Sequence, residues 1–480
     1  MNAGFARMRK IPAFKYKSKK KGVFSMKNKL LIVALIMVTG LAFAALSITA
    51  CGNSGTDETG GSQSSSGGKT PSDGKTPGEQ TPGSGGGLGP NNEVPGNTLV
   101  EQLSWLKQNV QSNKAYTLTA KADEDISYWG ELSYSNKSNI TITLKGNGGE
   151  RIISGTGSGG YSGAGLFRIG SGVTLILEEN ITLQGSSIGI GMRNEDGAAF
   201  TMNGGKITGC SSAVCMISNS TFTMNRGTIS GNDCSYYSIV YISGENAIFI
   251  MNGGTISGNK SNNVYGVEST IYIRGENAVF TMNNGTIADN SDGGHGNGGV
   301  EVHSGTFIMN NGTISGNGPN GIYLYDNRLI FTMNNGTISG NNGRGVYVYG
   351  STFTMNGGKI SNNKGGGVLL RGTFTMNGGE ISGHNIDTVG SGICLSSSSI
   401  FRISNGIVYG SNADPEKANT APPPIDTLLG YGSAFFMDDR YGKAQYGTGN
   451  TWTDIPVKNT ASGGRCYRDD TINVVNGVLQ

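Results

Sequence analysis

One short element recurs through the middle of the chain and constrains its fold more than any other feature. Phe-Thr-Met-Asn-Gly-Gly-Lys-Ile begins at Phe200, and close copies begin at Phe222, Phe249, Phe280, Phe307, Phe331, Phe353 and Phe374, with a weaker copy at Phe401. Successive copies lie 21–31 residues apart. Such a period is typical of solenoids and related arrays. Leucine-rich and helical repeats do not fit the residue pattern, and propeller blades need longer, regular units. The sequence therefore predicts an all-β fold, a parallel β-helix.

Each repeat is predicted to contain three short strands. Around Phe353 these are Val346–Tyr349, Phe353–Met355 and Lys359–Ser361. Alternation along a strand places Phe353 and Met355 inside. The third residue of the bend after Met is Gly in all nine copies, which indicates a positive φ there. Stacked coils would then align Phe on Phe, Met on Met and Ile on Ile. They would also align one asparagine per coil as an amide ladder: Asn203, Asn225, Asn252, Asn283, Asn310, Asn334, Asn356 and Asn377.

The first fifty residues have the pattern of an export signal. Residues 1–25 are basic without an apolar run and are interpreted as upstream sequence, with Met26 as the initiator. Residues 26–50 pair a basic start with an apolar run from Leu30 to Ile48, as in secretory signals. An uncleaved signal anchor is the alternative, because that run is long enough to span a bilayer.

The remaining boundaries follow from composition. Residues 51–97 are rich in Gly, Ser, Thr, Pro and Asn, which predicts a disordered tether. Residues 98–115 carry a capping-box pattern and a stripe of Leu99, Leu103, Leu106 and Val110, which predicts a cap helix. Residues 116–410 are assigned to the β-helix and 411–480 to a C-terminal closing segment.

Charge and cysteine content limit the partners. From residue 51 onward there are 26 basic and 33 acidic residues, a net charge of −7, which argues against nucleic-acid binding. No zinc spacing or calcium nonapeptide is present, so no metal or cofactor is expected. Beyond Cys51, two disulfides are compatible with the spacing: Cys210 with Cys234, and Cys394 with Cys466.

The first strand of each unit predicts an outward-facing strip of two columns, because residues two apart in a strand share a face. We call these two columns the aromatic strip. The first column is Cys215, Tyr241, Tyr272, Glu301, Tyr323, Tyr347, Leu369 and Cys394. The second column is Ile217, Ser243, Arg274, His303, Tyr325, Tyr349, Arg371 and Ser396. Tyrosine offers rigid, amphipathic contact area for glycans or proteins, although it also simply favours exposed strands.

Two resemblances add to this interpretation. Ile48-Thr49-Ala50-Cys51 resembles a bacterial lipobox, which implies cleavage after Ala50 and a lipid on Cys51. The Phe-Thr-Met-Asn-Gly-Gly-Thr-Ile-Ser-Gly-Asn unit resembles right-handed β-helix repeats of the pectin-lyase-like superfamily. Together with the tether, the Leu103-Ser-Trp-Leu106 helix and the terminal Asn473–Gln480, it is similar to spirochaete-type surface lipoproteins. The Phe-x-x-Asn element also resembles repeats of polymorphic outer-membrane protein adhesins.

Three functions remain open from the sequence. The first is an envelope protein, on the outer membrane or cell surface, that binds a host protein or glycan through Tyr241, Tyr272, Tyr323, Tyr325, Tyr347, Tyr349 and Arg371. The second is a polysaccharide lyase or hydrolase, with Glu301, His303 and Arg274 as weak catalytic candidates. The clustered Asp residues of superfamily enzymes have no equivalent at outward strand positions. The third is a passive envelope component.

Overall fold

The computed structural model describes residues 87–126, 130–155, 165–193, 197–234, 238–261, 269–291, 298–386, 390–396, 398–420, 433–437, 442–459 and 466–480. The predicted signal peptide, Cys51 and the tether up to residue 86 lie outside these described residues.

Parallel strands wind into a right-handed β-helix with three faces, as predicted. Sheet I contains Gly130–Leu132, Gly165–Ile169, the ends of Ile181–Arg193 and Lys206–Ile217, Val240–Ser243, Ser269–Arg274, Gly298–Val302, Ile322–Tyr325, the starts of Val346–Met355 and Val368–Met376, Ile393–Leu395 and Phe435–Met437. Sheet II contains Lys114–Ala120, Ile140–Gly146, Val173–Leu177, Ala199–Met202, Thr221–Met224, Ile248–Met251, Val279–Met282, Thr306–Met309, Ile330–Met333, the ends of Val346–Met355 and Val368–Met376, Ile400–Ile403 and Lys443–Thr448.

Sheet III is built from the shortest strands. It contains Glu124–Asp125, Arg151–Ser154, the starts of Ile181–Arg193 and Lys206–Ile217, Thr228–Ser230, Thr255–Ser257, Thr286–Ala288, Thr313–Ser315, Thr337–Ser339, Lys359–Ser361, Glu380–Ser382 and Gly406–Val408. Asp233–Cys234 and Lys260–Ser261 form a separate two-stranded sheet.

The predicted columns of identical residues are present in the core. Phenylalanine pairs with phenylalanine in every step from Phe200 to Phe401, and methionine pairs with methionine from Met202 to Met376. Neighbouring phenylalanine rings stack with centroids 4.4–5.2 Å apart. Isoleucines from Ile207 to Ile381 align on sheet III. All these side chains have zero exposure, so the repeat codes for one continuous apolar core.

The glycine at each bend is required for two separate reasons. All nine of these glycines have a positive φ, between 70° at Gly205 and 118° at Gly406. A Cβ added at Gly312 would lie 2.6 Å from Met282 Cε and 2.8 Å from the Gly285 carbonyl oxygen of the preceding coil. The bend therefore needs both the left-handed backbone and the close approach that only glycine allows.

The predicted amide ladder forms beside this bend, and we call it the outer ladder. Each Asn Nδ2 donates to Asn Oδ1 of the preceding coil at 2.7–2.9 Å, from Asn225 to Asn377. Asn203 continues it to Glu178 at 2.9 Å, and Ser404 donates to Asn377 at 3.0 Å.

The sequence reasoning missed a second ladder, which is buried, and which we call the inner ladder. Its members follow the sheet III strands: Asn232, Asn259, Asn290, Asn317, Asn341, Asn363, His384 and Asn419. Asn317 illustrates the pattern, because its Nδ2 donates to Asn341 Oδ1 and to the Ile287 carbonyl, while its Oδ1 accepts from the Nδ2 and backbone N–H of Asn290. The sequence signal was available, since an asparagine recurs three residues after the isoleucine in most units.

The N-terminal end is covered by a helix that is shorter than predicted. The helix spans Leu99–Asn109, and residues 114 and 115 already belong to the first sheet II strand rather than to the 98–115 cap segment. Thr98 Oγ1 accepts from the Glu101 N–H at 3.2 Å. The buried Gln102 side chain exchanges two hydrogen bonds with the Thr119 backbone, at 2.9 and 2.8 Å. The helix therefore satisfies part of the first exposed strand edge.

The predicted tether extends too far towards the helix. Val94 is 5% exposed and its N–H donates to the Thr117 carbonyl at 2.9 Å. Pro90–Asn92 form one 3-10 turn, and Glu93 pairs with Lys145 at 3.0 Å. Residues 87–97 are thus packed on the first coil rather than disordered, because the side chain of Val94 is buried in the core.

The C-terminal end is also different from the prediction, since the parallel β-helix continues past residue 410. Phe435–Met437 and Lys443–Thr448 add parallel strands to sheets I and II. The closure then uses antiparallel strands: Thr451–Asp454, Lys458–Asn459, Cys466–Arg468, Ile472–Val475 and Val478–Leu479. Antiparallel pairing reverses the chain and ends the coil.

One of the two disulfides that the spacing allows is not formed. Cys210 and Cys234 are buried without being joined to each other, whereas the Cys394–Cys466 pairing depends on the Cys466 side chain, which lies outside the described residues. Burial raises the pKa of the Cys210 thiol to about 12, which keeps it protonated and unreactive. Cys210 and Cys234 pack in the apolar core as small hydrophobic residues, whereas Cys215 and Cys394 are buried on the outward side of sheet I.

Candidate functional site: the aromatic strip

The two columns of the aromatic strip lie in register on sheet I. Tyr241 pairs with Tyr272, Tyr272 with Glu301, Glu301 with Tyr323, and Tyr323 with Tyr347. In the second column, Tyr325 pairs with Tyr349, and Tyr349 pairs with Arg371. The alignment made from sequence is therefore present in space, and the strip runs along the β-helix axis.

Exposure along the strip is uneven. Tyr325 is 44% exposed and Tyr349 is 40% exposed. Arg274 and Arg371 are also exposed, whereas Tyr241, Tyr323 and Tyr347 are half-buried. The accessible part of the strip is therefore mainly its second column.

Four outward residues of the strip are buried: Cys215, Tyr272, Glu301 and Cys394. Tyr272 and Glu301 matter most here, because they were binding or catalytic candidates. Tyr272 is 2% exposed, because its ring lies between the ring of Tyr241, 5.5 Å away, and that of His303, 5.0 Å away. Glu301 has zero exposure. Its side chain is shorter than the flanking Tyr272 and Tyr323 in the column, and His303 lies over it. The outward direction was predicted correctly for both residues, but their accessibility was not.

Glu301 and His303 form a close carboxylate–imidazole pair. His303 Nε2 lies 2.5 Å from Glu301 Oε1, and the histidine side chain is 26% exposed. A buried carboxylate that holds one ring nitrogen fixes the orientation of the imidazole. The ring also lies 5.1 Å from that of Tyr325, which connects the pair to the exposed column.

The phenols of two tyrosines beside Glu301 have raised pKa values. Burial, and then the Glu301 carboxylate, raise the pKa of Tyr272 to about 12, although a hydrogen bond with Arg274 opposes the shift. Burial, followed by Tyr347 and Glu301, raises the pKa of Tyr323 to about 12. Both phenols therefore remain neutral at physiological pH and act as hydrogen-bonding groups.

The exposed column is held by ring and cation contacts. The rings of Tyr325 and Tyr349 stack 5.1 Å apart at 14°, and the Arg371 guanidinium lies 5.7 Å from the Tyr349 ring centroid. Arg371 Nε also donates to Ser396 Oγ at 3.4 Å. Rigid stacking reduces the entropy that these side chains lose when a ligand binds.

A half-buried arginine in the turn before Val346–Met355 was missed from sequence. Burial lowers the pKa of Arg344, and its Nη1 donates to the Gly390 carbonyl at 3.0 Å. Its position in Gly343-Arg344-Gly345 gave no signal, since its partner Gly390 is 46 residues away in the chain.

Metal and membrane sites were also sought within the described parts of the chain. There, His, Cys, Asp and Glu side chains do not gather in groups of three that suit a metal ion. Over those same parts, no helix has the length and apolar character needed to cross a bilayer.

Comparison with known proteins supports the β-helix fold but assigns no function. Residues 233–377 match the family model described as the right handed beta helix region. No curated protein and no solved structure gives a significant match. The β-helix repeat is consistent with the pectin-lyase-like superfamily, in which fold alone does not determine function.

Proposed function

We propose that this chain is a lipid-anchored envelope protein that binds a host protein or a glycan through the exposed column of the aromatic strip. The observation that carries the proposal is the stacked, exposed Tyr325–Tyr349 pair with Arg371 beside it. Tyrosine and arginine are the side chains that most often dominate binding energy at interfaces. The resemblance of the repeat to polymorphic outer-membrane protein adhesins points to the same kind of role.

Retention on arrays of glycans and matrix proteins tests the binding role. The Tyr325→Ser/Tyr349→Ser variant should bind its best array ligand about 30-fold more weakly, since losing about 2 kcal/mol of contact energy has that effect. Ile330→Ser is the matched control, because Ile330 is 50% exposed on sheet II. Equal retention of all three proteins contradicts the proposed surface, and retention of none favours a passive envelope component.

The lipid anchor is a separate part of the proposal. The lipobox-like Ile48-Thr49-Ala50-Cys51 supports acylation of Cys51, and two or three acyl chains hold a protein stably on a membrane. Incorporation of a clickable fatty acid, lost in Cys51→Ser, is the expected result. If the original chain takes up no label but both proteins remain detergent-dependent, the uncleaved signal anchor is favoured instead.

A second candidate function is catalysis at the Glu301–His303 pair. Its geometry suits a general base, because the buried carboxylate orients the imidazole while Arg274 lies in the adjacent coil, hydrogen-bonded to Tyr272. Incubation with uronate polymers tests it. Unsaturated or reducing-sugar products that disappear in Glu301→Gln support an enzyme, whereas binding without products leaves the aromatic strip as a binding surface only.

A further inference from the structure

Sheet II presents a second continuous surface, which none of the functions above uses. Its outward side chains form two rows, which together we call the threonine face. One row is Thr221, Ile248, Val279, Thr306, Ile330, Thr352 and Thr373, and the other is Thr223, Ile250, Thr281, Ile308, Thr332, Thr354 and Thr375. All fourteen side chains are β-branched, uncharged and at least partly exposed, and Ile330 is 50% exposed.

The threonine face is unusually regular. Both rows keep a one-to-one register across seven coils. The phenylalanines directly beneath them, from Phe222 to Phe374, stack with centroids 4.4–4.8 Å apart and ring planes within 2–16° of parallel. β-Branched side chains are also restricted at χ1. The outward methyl and hydroxyl groups are therefore fixed on a stiff, flat support.

The size of the threonine face argues against a second copy of this chain as its occupant. Seven strands span about 30 Å, and the two rows are about 7 Å apart. Two such faces in contact would bury about 800 Å² in total, which is below the ~1,200 Å² of specific protein interfaces. The absence of charge among these fourteen side chains also disfavours an ionic polymer, and their lack of aromatic rings disfavours stacking on sugars.

We propose that the threonine face binds the surface of ice. Its two repeats, about 4.8 Å between coils and about 7 Å between rows, are close to the oxygen repeats on the prism face of hexagonal ice. Threonine hydroxyls can anchor ordered waters, and the flanking methyl groups constrain the first-shell water around them. A rigid array with these spacings holds surface water in an ice-like arrangement that can join the growing lattice. The site is independent of the aromatic strip.

Partition into slowly grown ice tests this assignment. The full-length chain, purified in detergent, should be enriched in the ice fraction relative to a soluble reference protein. Thr281→Lys/Thr354→Lys should reduce that enrichment at least tenfold, because two charged side chains interrupt the array. Lysine is compatible with an outward position, since Arg402 already occupies the next place in the same row. Unchanged circular dichroism and melting will show that the variant is folded.

The matched control places the same substitution on sheet III. Thr228→Lys/Thr313→Lys should leave the enrichment unchanged, since lysine occurs naturally in that row at Lys206 and Lys359. Exclusion of the original chain from ice overturns the proposal. Equal loss in both double variants, or retention on microcrystalline cellulose but not in ice, overturns it as well.

Discussion

The two asparagine ladders use the same side chain at the same coil spacing, but they lie in different surroundings. Most outer-ladder residues, such as Asn310, are exposed and make one amide–amide bond to each neighbouring coil. Inner-ladder residues such as Asn317 have no exposure. The Asn317 side chain donates two hydrogen bonds and accepts two. An exposed amide can exchange its partners for water, whereas a buried one cannot. The comparison teaches that burial, more than the number of repeats, sets the contribution of a ladder to stability.

The largest expected effect comes from breaking the inner ladder. Asn317→Ala removes four buried hydrogen bonds, so that the Ile287 carbonyl loses the Nδ2 donor and the Asn290 backbone N–H loses its side-chain acceptor. The neighbouring amides each keep one partner, because Asn341 Oδ1 still accepts from the backbone N–H of residue 317 and Asn290 Nδ2 still donates to the Ile256 carbonyl. At about 1–3 kcal/mol for each unsatisfied buried group, the free energy of unfolding should fall by about 4 kcal/mol or more. Urea unfolding followed by circular dichroism measures it. A loss below about 1 kcal/mol would mean that water replaces the missing amide.

A smaller effect should come from the one inner-ladder position that is not asparagine. His384 Nδ1 accepts from the Asn363 N–H at 3.0 Å, and Nε2 lies 3.2 Å from the Ile360 carbonyl, so a neutral ring imitates an amide. Burial, together with Arg344, lowers the pKa of His384 to about 4, although hydrogen bonds to Asn363 and Ile360 oppose the shift.

The pH dependence of the free energy of unfolding tests whether His384 stays neutral in the folded chain. Because the pKa of His384 is lower in the folded chain than the ordinary 6.5, its stabilising contribution is complete above pH 6.5 and is lost as pH falls towards 4. The loss should reach about 3 kcal/mol at pH 4. The His384→Asn variant should not show this loss, so its free energy of unfolding should rise relative to that of the original chain as pH falls. A difference between the two proteins that stays constant with pH contradicts this account.

The smallest effect is expected for the outer ladder. Asn310→Ala in the same coil as Asn317 removes two amide–amide bonds of 2.7 Å, but water can replace them. The free energy of unfolding should therefore fall by about 1 kcal/mol or less. If Asn310→Ala costs as much as Asn317→Ala in the same urea experiment, burial does not distinguish the two ladders.

The sequence was most informative where the repeat is regular. We predicted the stacks from Phe200 to Phe401, the positive φ at the bend glycines and the outer ladder. Each of these features follows directly once the repeats are aligned, because the same residue then occupies the same position in every coil. The inner ladder was missed although its asparagines recur in the sequence, since a polar residue in a turn is ordinarily interpreted as exposed. Strip accessibility was predicted only in part, because Tyr272 and Glu301 are covered by side chains from neighbouring coils.

By itself, the sequence determined the coil, its register and the residues that face inwards, because local alternation and a fixed bend repeat in every unit. The tertiary structure decided what depends on neighbouring coils: the pairing of His303 with a buried Glu301, the place of His384 among asparagines, and the strands that close each end. The contacts of His384 join groups 21 and 35 residues apart in the chain, whereas His303 and Glu301 are two residues apart and only the burial of Glu301 depends on the adjacent coils. A periodic pattern specifies a coil, but burial and hydrogen-bond completion are properties of stacked coils.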